Sequence, residues 1–137
     1  MIEIIDHFGI AVHDLDKSLA DYNRIFGLTP LKIEIHENIC VRMAFIRVGE
    51  LLLELLEPTA PGAGRIGAFL EEKGEGFHHI AFRVDNLDAE LDHLKSVGVA
   101  LRDETPRDGG DDSRIAFVEP AFTNNVLTEL VERKKEV

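Results

Sequence analysis

The sequence has little of what disulfide-bonded, membrane and nucleic-acid-binding proteins require. Its single cysteine, Cys40, excludes an internal disulfide and is typical of a reducing cytoplasm. No apolar run approaches the length that crosses a bilayer, and no signal-peptide pattern opens the chain. Lysine and arginine number 15 against 26 aspartates and glutamates, and the net charge of −11 excludes the basic surface that phosphate contacts need. We therefore expect a cytoplasmic protein that binds neither membranes nor nucleic acid.

The chain does have enough apolar residues for the core of one ordinary domain, with 45% hydrophobic residues among 137. One apolar stretch, LLLELLEP, contains a glutamate, Glu54, among leucines. The stretch predicts a strand that is buried on at least one side. An ionised carboxylate in such a strand needs a cation, a proton or solvent beside it.

An internal repeat relates the two halves of the chain. The segment DHFGIAVHDLDKSLADYNRIFGL is matched by HHIAFRVDNLDAELDHLKSVGV, which aligns His7 with His79. Further along, LLLELLE is matched by VLTELVE, which aligns Glu54 with Glu129. Two histidines and two glutamates thus occupy two pairs of equivalent positions, and a repeat of this kind organises the whole fold.

Each half has the pattern strand, helix, strand, strand, strand, which predicts an α+β fold built from two βαβββ modules. The modules span 1–58 and 77–137, and a turn-rich linker with a short helix occupies 59–76. In the first module we predict a strand at 4–13, a helix at 15–26 and strands at 30–36, 40–48 and 51–57. In the second we predict a strand at 77–84, a helix at 87–97 and strands at 99–103, 113–118 and 126–132.

Strand alternation predicts where the four repeated polar residues point. His7 and His79 share a face with small neighbours, while the bulky residues of the same strands face the helices. If the modules are related by a pseudo-twofold axis, they form a curved mixed sheet whose cleft brings both histidines together with Glu54 and Glu129. One such histidine alone is more often structural, but four ligand-type residues at equivalent positions favour a metal site. Two imidazoles and two carboxylates suit Co²⁺, Ni²⁺, Zn²⁺ or Mn²⁺.

These modules resemble the vicinal oxygen chelate superfamily and, within it, the methylmalonyl-CoA epimerase family. The motifs IDHFGIAVHDLDKSL, VGELLLELLEP, GEGFHHIAFRVDNLDAEL, DETPR, RIAFVEP and VLTELVER carry the resemblance in order along nearly the whole chain. The resemblance implies one divalent ion per chain, with Co²⁺ as the first expectation, bound by His7, His79, Glu129 and, where the family has Glu or Gln, Glu54. It also implies an acyl-CoA substrate and a homodimer.

The family interconverts (R)- and (S)-methylmalonyl-CoA by removing the proton between a carboxylate and a thioester. Inversion of that centre needs a proton acceptor on one face and a donor on the other. Glu129 resembles one family base. The second family base is a glutamate near the third strand, where this chain has Arg42, so Glu37 or Glu34 is the expected substitute.

Arg83 lies on the same predicted face as His79. It can bind a substrate carboxylate, or it can neutralise Glu54 or Glu129.

Two other functions stay open at this point. A lyase resembling glyoxalase I shares the His/Glu/His/Glu set and a related intermediate, but acts on a glutathione hemithioacetal. A non-catalytic protein that binds a small molecule through a metal would keep the fold and lose a ligand or a base. The presence of all four predicted ligands favours an enzyme, and among the enzymes the sequence favours the metal-dependent isomerase.

Overall fold

The computed structural model describes all 137 residues and contains eight strands and three helices. The first module consists of β1 (Ile2–Ala11), α1 (Leu15–Phe26), β2 (Lys32–His36), β3 (Val41–Val48) and β4 (Leu51–Pro58). The linker contains α2 (Gly64–Lys73). The second module consists of β5 (Gly76–Val84), α3 (Leu87–Ser96), β6 (Arg107–Asp108), β7 (Ser113–Val118) and β8 (Thr128–Arg133). None of the helices combines the length and apolar character that a membrane span requires.

The predicted fold class is confirmed. The eight strands belong to one sheet in the order β2-β3-β4-β1-β5-β8-β7-β6. The sheet is mixed, because β5 runs parallel to β8 whereas β2, β3 and β4 pair antiparallel, as do β7 with β8 and β6 with β7. Two βαβββ modules therefore contribute four strands each, as the repeat predicts.

Two compact units divide the chain differently from the repeat. The first unit consists of Met1–His7 together with His79–Val137, and the second unit is Phe8–His78. Strands β1 and β5 each pass from one unit to the other, and the divisions fall directly after His7 and directly before His79. The predicted module boundaries at 58 and 77 were drawn from the sequence repeat, and they stay a prediction.

The second unit is built around α1 and the antiparallel strands β2, β3 and β4. The side chain of Asp14 accepts a hydrogen bond from the Lys17 amide and so caps the start of α1. Gly27 ends the helix in the left-handed conformation, with φ 71°, which glycine adopts without strain. Helix and strands meet in a buried apolar cluster formed by Val12, Leu15, Ala44, Ile46 and Leu55.

The first unit repeats this arrangement around α3. The side chain of Asn86 accepts a hydrogen bond from the Ala89 amide and caps the start of α3. The helix packs on a buried cluster of Val84, Leu87, Leu91, Ala116 and Leu130. A second buried cluster, formed by Ala81, Ile115, Phe117 and Val131, belongs to residues that alternate with these along the same strands.

In the first module a glutamate on β4 holds the start of the helix. A carboxylate oxygen of Glu57 accepts the Leu15 amide at 2.6 Å, and this amide is one of those that a helix start leaves without an intrahelical acceptor. Arg42 donates to Asp16 at 3.0 Å and lies 3.7 Å from Glu57. The helix start, β3 and β4 are therefore joined by one polar network.

The second module has the same network at the equivalent positions. Glu132 on β8 accepts the Leu87 amide at 3.1 Å. Arg114 on β7 donates to both Glu132 and Asp88 at 3.2 Å. The repeat therefore encodes a helix anchor as well as a site, and Arg42 belongs to that anchor.

The predicted strand at 99–103 is wrong. Only Leu101 forms a bridge there, to Val118, and the short strand β6 follows at 107–108. The reason lies in Asp103, whose side chain accepts the Phe117 amide at 2.8 Å. The amides of Arg102 and Asp103 also share the single carbonyl of Phe117. A side-chain acceptor and a shared carbonyl replace the regular backbone pairing, so the ladder stops after one residue pair.

Candidate active site

Two histidine side chains converge in the first unit. His7 comes from β1 and His79 from β5, and both residues are buried, with 2% and 4% of their surface exposed. Their Nε2 atoms lie 3.0 Å apart, and the two rings meet edge to face. Phe117 on β7 contacts His79 edge to face with the ring centres 5.5 Å apart, which restricts the orientation of that imidazole.

Glu129 on β8 brings a carboxylate to the same point. In the sheet register Glu129 lies opposite Ala81 on β5, whose small side chain leaves room beside it. Its Oε2 is 3.2 Å from His7 Nε2 and its Oε1 is 3.7 Å from His79 Nε2. Glu129 is 4% exposed, and its Oε2 accepts no hydrogen bond.

Asp6 lies directly behind His7. The residue is fully buried, and its Oδ1 accepts from His7 Nδ1 at 2.6 Å. Burial alone would raise the pKa of Asp6, but the hydrogen bonds from His7 and Arg133 hold this pKa well below its usual range. The carboxylate is therefore ionised and accepts from a protonated Nδ1 of His7, and in the neutral imidazole this tautomer leaves Nε2 with a lone pair.

Two arginines hold Asp6 in place. Arg133, at the end of β8, donates to both carboxylate oxygens of Asp6, at 2.7 and 2.9 Å. Arg83 on β5 donates its Nε to Asp6 at 2.9 Å and one terminal nitrogen to Glu136 at 2.7 Å. Burial lowers the pKa of the Arg83 guanidinium, but Glu136 and Asp6 raise it by more, so this side chain is a fixed cation.

The donor atoms of this cluster fit a divalent metal ion. His7 Nε2 has a lone pair, and it faces both the unsatisfied Glu129 Oε2 and the second imidazole. Imidazole nitrogens and carboxylate oxygens packed 3.0 to 3.7 Å apart in a buried place need a proton or a cation between them. Imidazole nitrogen and carboxylate oxygen are ligands of Zn²⁺, Co²⁺, Ni²⁺ and Mn²⁺.

The other predicted site residues lie in the second unit. Glu54 is on β4, opposite Phe45 of β3, and only 6% of its surface is exposed. Glu37 begins a short 3₁₀ turn, Glu37–Ile39, and its side chain is exposed. Glu34 on β2 is paired with His36 at 2.8 Å. Whether Glu54 binds the metal and Glu37 transfers a proton stays a prediction.

Asp6 and Arg133 are the site residues that the sequence analysis missed. Asp6 follows two isoleucines within the strand β1, so the argument applied to Glu54 also applies here: a charge in an apolar strand needs a partner. The partner itself was not recognisable, because Arg133 lies 127 positions further along the chain. Arg83 donates to Asp6 in the structure, and a contact with the substrate stays a prediction for it.

Comparison with known proteins identifies the family. The model of the Glyoxalase/Bleomycin resistance protein/Dioxygenase superfamily matches residues 6–117. The chain belongs to this superfamily.

Three relatives of this superfamily member are similar over almost its full length. The uncharacterised protein YqjC of Bacillus subtilis is 41% identical over 130 residues, which are 95% of this chain and 92% of that protein. The ethylmalonyl-CoA/methylmalonyl-CoA epimerase of Cereibacter sphaeroides is 30% identical, over 95% of this chain and 98% of that enzyme. A structure of a Streptomyces coelicolor methylmalonyl-CoA epimerase variant in complex with 2-nitronate-propionyl-CoA matches with a TM-score of 0.92 and 37% identity, over 98% of this chain and 96% of that chain. The superfamily member described here is thus an isomerase of the epimerase type.

Proposed function

We propose that the protein interconverts (R)- and (S)-methylmalonyl-CoA by removing and returning the proton at C2. The observation that carries the proposal is the buried carboxylate of Glu129, whose Oε2 accepts no hydrogen bond and faces the lone pair of His7 Nε2. A carboxylate with all its acceptor sites filled would be only structural. The substrates named for the Cereibacter and Streptomyces enzymes support a 2-substituted malonyl-CoA as the substrate class.

In this proposal Glu129 is the first proton acceptor. The proton at C2 lies between a carboxylate and a thioester, and its removal leaves negative charge on the thioester oxygen. Because Glu129 is buried, on a strand that pairs with β5 on one side and β7 on the other, water does not compete for its oxygens in the way it does at a surface carboxylate. The same carboxylate returns the proton when the reaction runs in the opposite direction.

His7, His79 and Glu129 would hold one divalent ion, and we propose Glu54 as the fourth ligand. When bound, such an ion polarises the substrate oxygens and stabilises the negative charge that develops as C2 loses its proton. Glu54 is proposed because it is buried and equivalent to Glu129 in the repeat. Co²⁺ is the first choice of ion for testing, followed by Ni²⁺, Zn²⁺ and Mn²⁺.

A second group must act on the opposite face of C2, and we propose Glu37 for it. Its exposure leaves the carboxylate able to reach a bound ligand, whereas Arg42, at the position that the family resemblance implies for the base, pairs with Asp16 and Glu57. Arg83 is the proposed contact for a substrate carboxylate. Its terminal nitrogen already binds one carboxylate, that of the exposed Glu136, which a substrate group can replace.

Deuterium exchange tests the proposal. The protein is loaded with Co²⁺ and incubated with (R,S)-methylmalonyl-CoA in D₂O, and incorporation at C2 is followed by mass spectrometry. We expect deuterium incorporation to be faster than in a control sample without protein. We also expect it to cease after chelation of the metal. Binding of the thioester without incorporation would identify a binding protein instead. Conversion of a methylglyoxal–glutathione hemithioacetal in place of exchange would identify a lyase.

A further inference from the structure

Each oxygen of the buried Asp6 carboxylate accepts two hydrogen bonds. Its Oδ1 accepts from His7 Nδ1 at 2.6 Å and from Arg133 Nη2 at 2.7 Å. Its Oδ2 accepts from Arg83 Nε and from Arg133 Nε, each at 2.9 Å. Two cations and one imidazole therefore fix the position and the plane of a carboxylate that has no exposed surface.

The two arginines make different contributions. Arg133 presents two nitrogens to the two oxygens of Asp6 in the fork geometry that only a guanidinium provides, and its side chain is 3% exposed. Arg83 adds a third contact from β5, the strand that also carries His79. The two arginines thus bond the Asp6 carboxylate to β5 and β8, the strands that carry His79 and Glu129. Asp6 and these two site residues therefore move together.

This support serves one of the two histidines. The repeat aligns His7 with His79, and the same alignment places His78 at the position of Asp6 and Ala11 at that of Arg83. The alignment of Glu54 with Glu129 places Pro58 at the position of Arg133. A network that only stabilised the fold would be expected at equivalent positions in both modules, as the helix anchors are. The residues of the Asp6 network are not repeated, and the network lies next to the histidine whose Nε2 is nearer to Glu129, at 3.2 Å against 3.7 Å for His79.

We propose that Asp6, held by Arg83 and Arg133, is a positioning residue that fixes the Nδ1–H tautomer of His7 and so keeps its Nε2 available to a metal ion. The inference rests on the proposed metal site. A carboxylate that receives the other ring N–H both orients the imidazole and raises its basicity. Loss of such a partner lowers metal affinity by about 10- to 100-fold in other metal sites.

Asp6→Asn is the direct test, with Asp88→Asn as the matched control. Asn has one acceptor oxygen for the four donors around Asp6, so its amide nitrogen must face some of them. Asp88 also pairs with an arginine, Arg114, but is exposed and belongs to the helix anchor. We expect Asp6→Asn to weaken Co²⁺ binding about 10- to 100-fold and to change the visible absorption of the bound ion, and Asp88→Asn to change neither.

The wild-type protein gives an answer even if Asp6→Asn does not fold. Imidazole ¹⁵N spectra of the metal-free protein should show His7 with its proton on Nδ1, assigned by the loss of its signals in His7→Gln. A proton on Nε2 would overturn the inference, and so would equal Co²⁺ affinity and equal spectra for Asp6→Asn and Asp88→Asn. Both measurements are independent of the substrate, so an absence of deuterium exchange would remove the proposed function and leave this inference standing.

Discussion

At the residue scale, the two buried carboxylates of the first unit differ in how their oxygens are used. Asp6 accepts four hydrogen bonds, from one imidazole and two arginines. Glu129 has an oxygen that accepts none. A carboxylate whose oxygens are all hydrogen-bonded and whose pKa is lowered is a poor proton acceptor. A carboxylate with an oxygen that accepts no hydrogen bond can take a proton or a cation. We therefore propose that one acidic residue orients the histidine and the other accepts the proton.

Glu129→Gln tests the reactive role. The amide oxygen can still coordinate a metal, so we expect most of the Co²⁺ to be retained, but an amide cannot accept the C2 proton. Deuterium incorporation into methylmalonyl-CoA should therefore fall by about 10²- to 10⁴-fold. Glu119→Gln, whose side chain is 40% exposed, is the control and should exchange at the wild-type rate. Exchange by Glu129→Gln within a few-fold of wild type would remove Glu129 as the base.

Glu54→Gln should behave differently from Glu129→Gln. We expect the exchange rate to fall only modestly, because the proposed role of Glu54 is coordination and the resembling family accepts Gln at this position. Exchange rates and bound Co²⁺ are measured for both variants under the same conditions. If Glu54→Gln abolishes exchange while Glu129→Gln spares it, the two modules have the opposite chemical roles from those proposed here.

His79→Ala tests the metal site itself. Because His79 Nε2 is 3.0 Å from His7 Nε2, its removal takes away one of the converging donors. The variant should therefore lose most of the metal that the wild-type protein holds, about one ion per chain by elemental analysis. His93→Ala, on an exposed position of α3, should keep its metal. Equal metal content in the two variants would show that the ligands lie elsewhere.

At the scale of secondary-structure elements, the starts of α1 and α3 are each bonded to a strand that carries a proposed site residue. Glu132 is three residues after Glu129 on β8, and it accepts the Leu87 amide at the start of α3. A shift of α3 would therefore act directly on the strand that carries the proposed base. Glu57 on β4 has the same relation to Glu54 and α1.

Glu132→Ala measures the strength of this anchor. The change leaves the Leu87 amide without its acceptor and Arg114 without one of its two carboxylates. We expect the free energy of unfolding to fall by about 1 kcal/mol, as for the loss of a helix N-cap, measured by urea denaturation of the metal-free protein. Glu104→Ala, at an exposed loop position, should change it by no more than about 0.5 kcal/mol. Equal stability of the two variants would contradict the anchor.

The elements also show how far the sequence determines the fold. Helix α1 has the predicted bounds because a capping aspartate and a terminal glycine mark its ends locally. The predicted strand at 99–103 does not form because the Asp103 side chain, rather than a backbone carbonyl, accepts the hydrogen bond of the Phe117 amide. The pairing of His7 with His79 was predictable through the repeat, whereas Asp6 depends on contacts with residues 83 and 133, for which the sequence contains no local signal.

At the scale of the whole molecule, we predict a homodimer. Strand β2 ends the sheet order, and its Ile33 and Ile35 are exposed, which is unusual for the apolar face of a strand. The family resemblance implies the same state. Light scattering coupled to size exclusion should return twice the chain mass at micromolar concentration. A monomer mass across that range would contradict the prediction, and Ile35→Lys, which places a charge on this strand, should shift the protein toward the monomer.

The discontinuous first unit has a consequence for synthesis on the ribosome. Residues 1–7 belong with His79–Val137, so they emerge well before the strands with which they pack. At about 5–20 residues per second, that delay is several seconds. During it Asp6 and His7 have none of the partners that Arg83 and Arg133 later provide. A nascent chain stalled before β8 emerges should therefore bind no Co²⁺ through His7, and the site can form only after β8 has emerged.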